Sequence, residues 1–261
     1  MLVGSMNNPA LPLEAELERV AAAGFDFVDI TLEPPSAWPC DGEAIGRRLH
    51  ELGLGAVGHT ARYLPYASPF EELRREAHRL FHLAFETFAA AGVDRVTLHP
   101  DPITNLFPVE EVRKRNAEAV AELSDEAKRR GVQLMVENLG RAFSTVEDLT
   151  PVFEAADGAL FHLDVAHANL GRGRGQPNRT RELLDAFGSR LAHVHVSDNF
   201  GVDDLHLPLG AGSVDWPAAV AAVKAAGWDG TVTLEIFSVE RRHLDASRRL
   251  WLEWWNGSAP G

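Results

Sequence analysis

Eight apolar, strand-like runs alternate with eight amphipathic, helix-like runs along this chain, and that alternation predicts an α/β fold, a single parallel (β/α)8 barrel. A second observation agrees: glycine follows several helix-like runs just before the next strand, at Gly24, Gly53, Gly92, Gly131 and Gly227, the left-handed position that ends a helix. Third, nothing among the 261 residues reads as a linker, since the run GRGRG at 171–175 and the short tail NGSAPG are too brief to separate domains. One domain spanning 1–261 is expected. A doubly wound open sheet is the alternative architecture.

In chain order the strands are read at 2–5 (LVGS), 27–32 (FVDITL), 55–59 (GAVGH) and 95–99 (RVTLH) in the first half. The second half continues with 133–138 (QLMVEN), 159–164 (ALFHLD), 191–197 (LAHVHVS) and 231–236 (TVTLEI). Helices are read near 13–23, 41–53, 69–91, 109–130, 146–156, 179–188, 216–226 and 239–254, each following a strand. The last helix carries WLEWW, where Trp251 shares a face with Trp254 and Trp255 by spacings of three and four, to cover the outer wall or to meet another subunit. Oligomeric state is left open by this reading.

With 45% hydrophobic residues the chain can bury a substantial core. A net charge of −13 argues against broad attraction to phosphate backbones or anionic membranes. The one cysteine, Cys40, has no partner for an intrachain disulfide, which fits a reducing compartment. No basic segment with a long apolar run opens the chain, and no run approaches the roughly 18 apolar residues of a membrane helix, so a soluble cytoplasmic protein without membrane contact is expected.

Active sites in barrels of this type sit at the C-terminal ends of the strands, so the residues standing there are a test of function. Strands three to eight end in His59, His99, Glu137, Asp164 with His167 beyond it, His195 and Glu235. Three carboxylates and several imidazoles gathered at one mouth without a cation repel each other and lose hydration. Mixed His, Asp and Glu donors suit Zn²⁺ or Mn²⁺ better than the all-oxygen Ca²⁺ site, so a divalent transition metal is the expected cofactor. After strand seven, DDLHLPLGAG adds Asp204 and His206 as further donors on that mouth.

The ordered set GHT, LHPD, VENLG, LDVAHAN, HVSDN, DLHLPLGAG and LEIF resembles the xylose-isomerase-like TIM-barrel superfamily over about residues 50–240. That superfamily holds sugar isomerases and epimerases and the endonuclease IV DNA-repair enzymes. The resemblance implies a single-metal set of Glu137, Asp164, His195 and Glu235 if the protein is an epimerase. On the endonuclease IV pattern Glu137 bridges to a second ion held by His59 and His99, and His167, Asp204 and His206 hold a third. All nine positions are filled here, yet single-metal members often keep several of them, so one to three ions are compatible with the sequence. For a small carbohydrate, or a related polyol or sugar acid, the resemblance implies that Glu137 and Glu235 remove and return a proton through an enediolate. His167 then holds substrate oxygens. For the alternative, a metal cluster hydrolyses a phosphodiester, with nucleic acid as partner.

The loops favour the small molecule. Arg62, Arg141, Arg172, Arg174 and Arg179 are the cations expected on the mouth, few for gripping a duplex but enough for a phosphorylated or acidic ligand. His59, Arg141, Arg172 and Tyr63 are the candidate substrate-binding residues. The GRGRG run is either a lid or a solvated loop. Both tyrosines, Tyr63 and Tyr66 in ARYLPYASP, either stack on a ligand or pack the loop. TLEPPSAWP, with Glu33 and Trp38, resembles the start of sugar-epimerase-like chains.

Other chemistries lack their residues. Lys114, Lys128 and Lys224 all fall on helices, away from the strand ends, which leaves no Schiff-base nucleophile and no counterpart of the xylose isomerase lysine. GRGRGQ fits neither a phosphate-binding loop nor a dinucleotide fingerprint, and no Gly-x-Ser-x-Gly elbow is present. His78 and His82 lack the intervening glutamate of a metalloprotease helix, and His162 and His193 lie two positions before a proposed ligand, deeper in the barrel.

Overall fold

A computed structural model of the protein describes residues 1–102, 106–140, 143–171, 178–238 and 240–257. Its strands are β1 (Leu2–Met6), β2 (Phe27–Leu32), β3 (Gly55–Thr60), β4 (Arg95–Leu98), β5 (Gln133–Glu137), β6 (Leu160–Asp164), β7 (Leu191–Val196) and β8 (Thr231–Leu234). The helices are α1 (Leu13–Ala22), α2 (Gly42–Leu52), α3 (Glu71–Ala90), α4 (Val109–Arg129), α5 (Val146–Ala155), α6 (Thr180–Phe187), α7 (Trp216–Ala225) and α8 (Arg241–Trp255). The eight strands close in chain order into a barrel, and each strand is followed by its helix, so the (β/α)8 barrel replaces the open-sheet alternative. Among the described residues no helix is long and apolar enough to cross a membrane.

The sequence pattern explains these bounds. All five glycines expected at helix ends have positive φ, from 67° at Gly53 to 78° at Gly131, where a side chain would be strained. At the start of α2 the Asp41 carboxylate accepts from the Ala44 N–H at 3.1 Å, and at α7 Asp215 accepts from Ala218 in the same way. Strand pairing stops one residue before His99 and one before Glu235, which leaves both side chains on the loops that open from β4 and β8.

The described chain resolves into two compact units. One comprises 4–137 and 147–160. In it β2 is buried along its whole length, as expected of a parallel strand covered on both faces. Phe81, Phe85 and Phe88 of α3 are fully buried there. Gly58 on β3 makes that packing possible, because a Cβ at this position would lie 2.7 Å from the Phe88 ring. The other unit comprises 1–3, 138–146 and 161–261. Its outer helices join through tryptophan: Trp216 of α7 stacks on Trp254 at 5.7 Å and meets Trp251 edge-on at 6.3 Å. Trp251 is fully buried, so this face of WLEWW serves helix packing. Lys224 points to the same helix, with Nζ donating to the Trp255 carbonyl at 2.9 Å.

Candidate metal centre

In the first unit the ends of β3, β4 and β5 bring His59, His99 and Glu137 together. Their ligand atoms lie within 4.8 Å of one another. His99 Nε2 is 2.9 Å from Glu137 Oε2, and His59 Nε2 is 3.5 Å from the same oxygen. The two rings meet edge to face at 4.7 Å. Alternation along β3 dictates the direction of His59: Gly58 faces α3, so its neighbour faces the opposite side. The other His59 nitrogen, Nδ1, is 2.9 Å from the Thr60 carbonyl, which can only accept. A neutral ring therefore carries its proton on Nδ1 and turns a lone pair toward Glu137. That arrangement leaves Nε2 ready for a cation.

In the second unit Asp164, His195 and Glu235 form a buried group from β6, β7 and the residue after β8, again with ligand atoms within 4.8 Å. Asp164 pairs directly with His195 across the sheet. His195 Nδ1 is 3.1 Å from Glu235 Oε2. Asn138 clamps the end of β6: its Oδ1 accepts from the Asp164 N–H at 2.8 Å, and its Nδ2 donates to the Asp164 carbonyl at 2.9 Å. Asp164 in turn accepts from the His167 N–H at 2.6 Å, which starts the short helical turn His167–Asn169.

That turn carries the third group. Both His167 nitrogens face acceptors: Nδ1 meets the Asn138 carbonyl at 3.0 Å, and Nε2 meets Asp204 Oδ2, also at 3.0 Å. His206 Nε2 is 3.1 Å from the same Asp204 oxygen. Asp204 Oδ1 and His206 Nδ1 are shielded from solvent and make no hydrogen bond. Burial raises the Asp204 carboxyl, but the hydrogen bonds of His167 and His206 outweigh it and hold the group well below its ordinary value. For His206 burial pulls the ring down, whereas Asp204 and the Glu235 charge carry it above its ordinary value. His206 is also the one non-glycine residue with positive φ among the described residues, at 46°. Such backbone strain concentrates at functional sites. Phe237 covers the ring at 4.2 Å.

The loop that holds Asp204 and His206 hangs on Asp198, fully buried just after β7. Its carboxylate accepts from the N–H groups of Asn199, Gly210 and Val214 and from the Trp216 indole, at 2.9 to 3.2 Å. Gly212 allows this approach, since a Cβ there would stand 2.3 Å from Asp198 Oδ1. Asp198 and Asn138 hold the backbone around these groups, a role that the sequence does not signal. Both sit inside the motifs HVSDN and VENLG, but nothing in a single sequence distinguishes a carboxylate that binds backbone from one that binds metal.

Buried carboxylates around imidazoles whose Nε2 atoms face oxygen suit a divalent cation by donor chemistry, and Asp204 Oδ1 and His206 Nδ1, which make no hydrogen bond, fit the same need. Deeper in β6 and β7, His162 and His193 pack against His195 with ring centroids 4.0 and 5.1 Å away. His193 also lies between the hydroxyls of Thr231 and Thr233 at 2.7 and 3.0 Å, deeper in the barrel than His195.

Around the strand ends the outcomes divide. Tyr66 does not stack on a ligand: it is 1% exposed, and its hydroxyl is 2.8 Å from Asn116 Oδ1 and accepts from the Asp101 N–H. Tyr63 is 59% exposed and open to a ligand. Arg179, expected to offer charge to a ligand, donates instead to the Leu170 carbonyl at 2.8 Å. Arg62 is exposed, while Arg141, Arg172 and Arg174 lie outside the described residues. His78 packs through Nε2 against the Tyr66 carbonyl at 3.0 Å.

Comparison with known proteins follows the same lines. L-ribulose 3-epimerase of Methylomonas sp. (strain DH-1) is 27% identical over 275 residues, covering 98% of this chain and 90% of that protein. The probable endonuclease 4 of Mycobacterium tuberculosis is 27% identical over 242 residues, covering 87% and 90%. An uncharacterised protein of Methanocaldococcus jannaschii is 28% identical over 177 residues, and there the chain spans only 59% of the relative's length. Among solved structures a D-tagatose 3-epimerase-like protein matches with a TM-score of 0.86 at 23% identity, over 98% of this chain and 99% of that one, a likeness of fold. The model of the xylose isomerase-like TIM barrel family matches residues 17–255, and the chain belongs to that family.

Proposed function

We propose that the protein is a divalent-metal-dependent epimerase or isomerase of a small carbohydrate or related polyol, carried by one domain spanning 1–261. The observation that carries this reading is the buried group of Asp164, His195 and Glu235 at the ends of three consecutive strands, two carboxylates and an imidazole whose ligand atoms lie close enough together to share one ion. Glu137, at the end of β5, is the fourth ligand that the family resemblance implies. Mn²⁺ and Zn²⁺ both suit these donors. When bound, the ion supplies Lewis acidity that lowers the pKa of a proton on the carbon beside a carbonyl. Glu137 and Glu235 are the pair that the family resemblance implies for removing and returning that proton, one as base and the other as acid. His167 is the residue that the family resemblance implies for holding substrate oxygens; its ring is placed by the Asn138 carbonyl, with Nε2 beside Asp204 Oδ2. Relatives named as L-ribulose 3-epimerase and inosose isomerase support a carbohydrate substrate.

A second reading, phosphodiester hydrolysis of the endonuclease IV type, is favoured by the separate His59–His99–Glu137 and His167–Asp204–His206 groups. The probable endonuclease 4 relatives support it too. The net charge of −13 and the engagement of Arg179 with backbone argue against a grip on DNA. Metal content of protein purified without chelator, followed by a ketose epimerisation screen and an abasic-DNA cleavage assay, separates the two. One Mn or Zn ion per chain with turnover of a ketose is the expected result. Two or three zinc ions with DNA cleavage and no sugar turnover would overturn it.

A further inference from the structure

The end of β2 presents two oxygens that the metal site does not use. Thr31 pairs with His59 across the sheet, so both side chains share one face. Glu33 follows β2 directly, near enough to His59 and Arg62 to feel their charge. Thr31 Oγ1 and Glu33 Oε2 are both shielded from solvent and make no hydrogen bond. Thr31 is only 6% exposed. Its backbone is rigidly placed, with its N–H donating to Asn7 Oδ1 at 2.7 Å and its carbonyl accepting from Asn7 Nδ2. Burial holds the Glu33 carboxyl above its ordinary value, and the nearby His59 and Arg62 oppose this only in part. The Tyr63 hydroxyl feels the Glu33 charge in turn. Arg62 and Tyr63 are both exposed, on the chain that leaves β3, within electrostatic reach of Glu33.

Buried polar atoms without partners are costly, and two of them at the end of β2, one paired across the sheet with His59 and the other within reach of its charge, point to a common ligand. A hydroxyl can donate to a carboxylate and both donate to and accept from a threonine hydroxyl, and an adjacent guanidinium donates to the same oxygens. A phosphate or carboxylate would be repelled by Glu33. Resting on the proposed carbohydrate chemistry, we infer that Thr31, Glu33 and Arg62 form a substrate-binding subsite for neutral, neighbouring hydroxyl groups of a polyhydroxylated substrate. Glu33 thereby selects uncharged sugars over sugar phosphates.

The test is calorimetric titration of the metal-loaded wild type, Glu33→Gln and Thr31→Val with two probes, D-fructose and the hexitol D-mannitol, which has no carbonyl to react. The expected result is hexitol binding by the wild type that weakens about tenfold or more in Glu33→Gln and by a smaller factor in Thr31→Val, with metal content unchanged. Thr31→Val separates a ligand role from a structural one, because filling the site with a methyl group is expected to hold or raise Tm while binding falls. Equal hexitol affinity in all three proteins, or no hexitol binding by the wild type, overturns the subsite. The carbohydrate reading fails separately: a wild type that binds hexitol through Glu33 yet converts no ketose keeps the subsite and loses the reaction.

Discussion

Two histidines show how a single hydrogen bond sets up chemistry. His59 and His167 each place Nδ1 against a backbone carbonyl, at 2.9 and 3.0 Å, and so direct Nε2 at a carboxylate. Each ring can serve as a ligand without reorienting. Glu137 is the residue on which the proposed reaction depends most. Replacing it with glutamine keeps the shape and removes the base, so ketose turnover is expected to fall about 100-fold or more while circular dichroism and Tm stay close to wild type. Turnover within threefold of wild type, with metal still bound, would remove Glu137 from the proton transfer. Asp204 and His206 give a pH signature to the metal-free protein. Asp204 is held below its ordinary 3.8, so its contribution is present above that value and lost as the solution is acidified further. His206 is raised above its ordinary 6.5, so its contribution is present below 6.5 and lost as pH rises through the higher folded value. Chelated wild type should therefore be most stable between these limits, and Asp204→Ala should flatten both arms of a plot of Tm against pH.

At the scale of elements, the β7–α7 connection is built backward from its anchor. Asp198 gathers three backbone N–H groups and the Trp216 indole, and the antiparallel bridge of Asp198 with Leu207 closes the loop. His206 sits one residue before that bridge, which holds it at its strained φ of 46°. Asp198→Asn exchanges acceptors for donors, and a loss of about 1–3 kcal/mol of stability is expected in urea unfolding. Metal affinity should fall with it, because Asp204 and His206 are no longer held. Gly212→Ala should act in the same direction, since the added methyl meets Asp198 Oδ1 at 2.3 Å. An intact metal affinity in both variants would separate this loop from the ion. On β3 the logic is purely steric: Gly58→Ala drives a methyl into Phe88 and should lower Tm by shifting α3.

For the whole molecule, the distribution of charge matters more than its sum. Part of the net charge of −13 is concentrated in buried carboxylates at the strand ends, where a bound cation would offset their repulsion. Binding to the folded state alone stabilises it by mass action, so Tm should climb with added Mn²⁺ or Zn²⁺ and fall on chelation. A Tm indifferent to both would mean that these residues do not hold an ion in the folded protein.

Much of this was legible in the residues. Strand and helix order followed from hydropathy period, and the helix ends from Gly24, Gly53, Gly92, Gly131 and Gly227, because only glycine takes positive φ without strain. The ligand-type residues stood out as ionisable groups at the ends of apolar runs. Their grouping within each unit was not legible, since hydrogen-bond partners far apart in the chain, such as Asn138 with Asp164 and His167 with Asp204, have no local signal. Tyr66 and Tyr63 make the same point: three residues apart in one loop, they read alike in sequence, and only packing buries the first against Asn116 and leaves the second in solvent. Local periodicity thus determined the barrel and named the donors, because strand alternation and helix caps depend on near neighbours. Tertiary structure decided which donors meet, which carboxylate anchors a loop and which oxygens remain for a ligand, because those depend on distances between segments that the sequence does not encode locally.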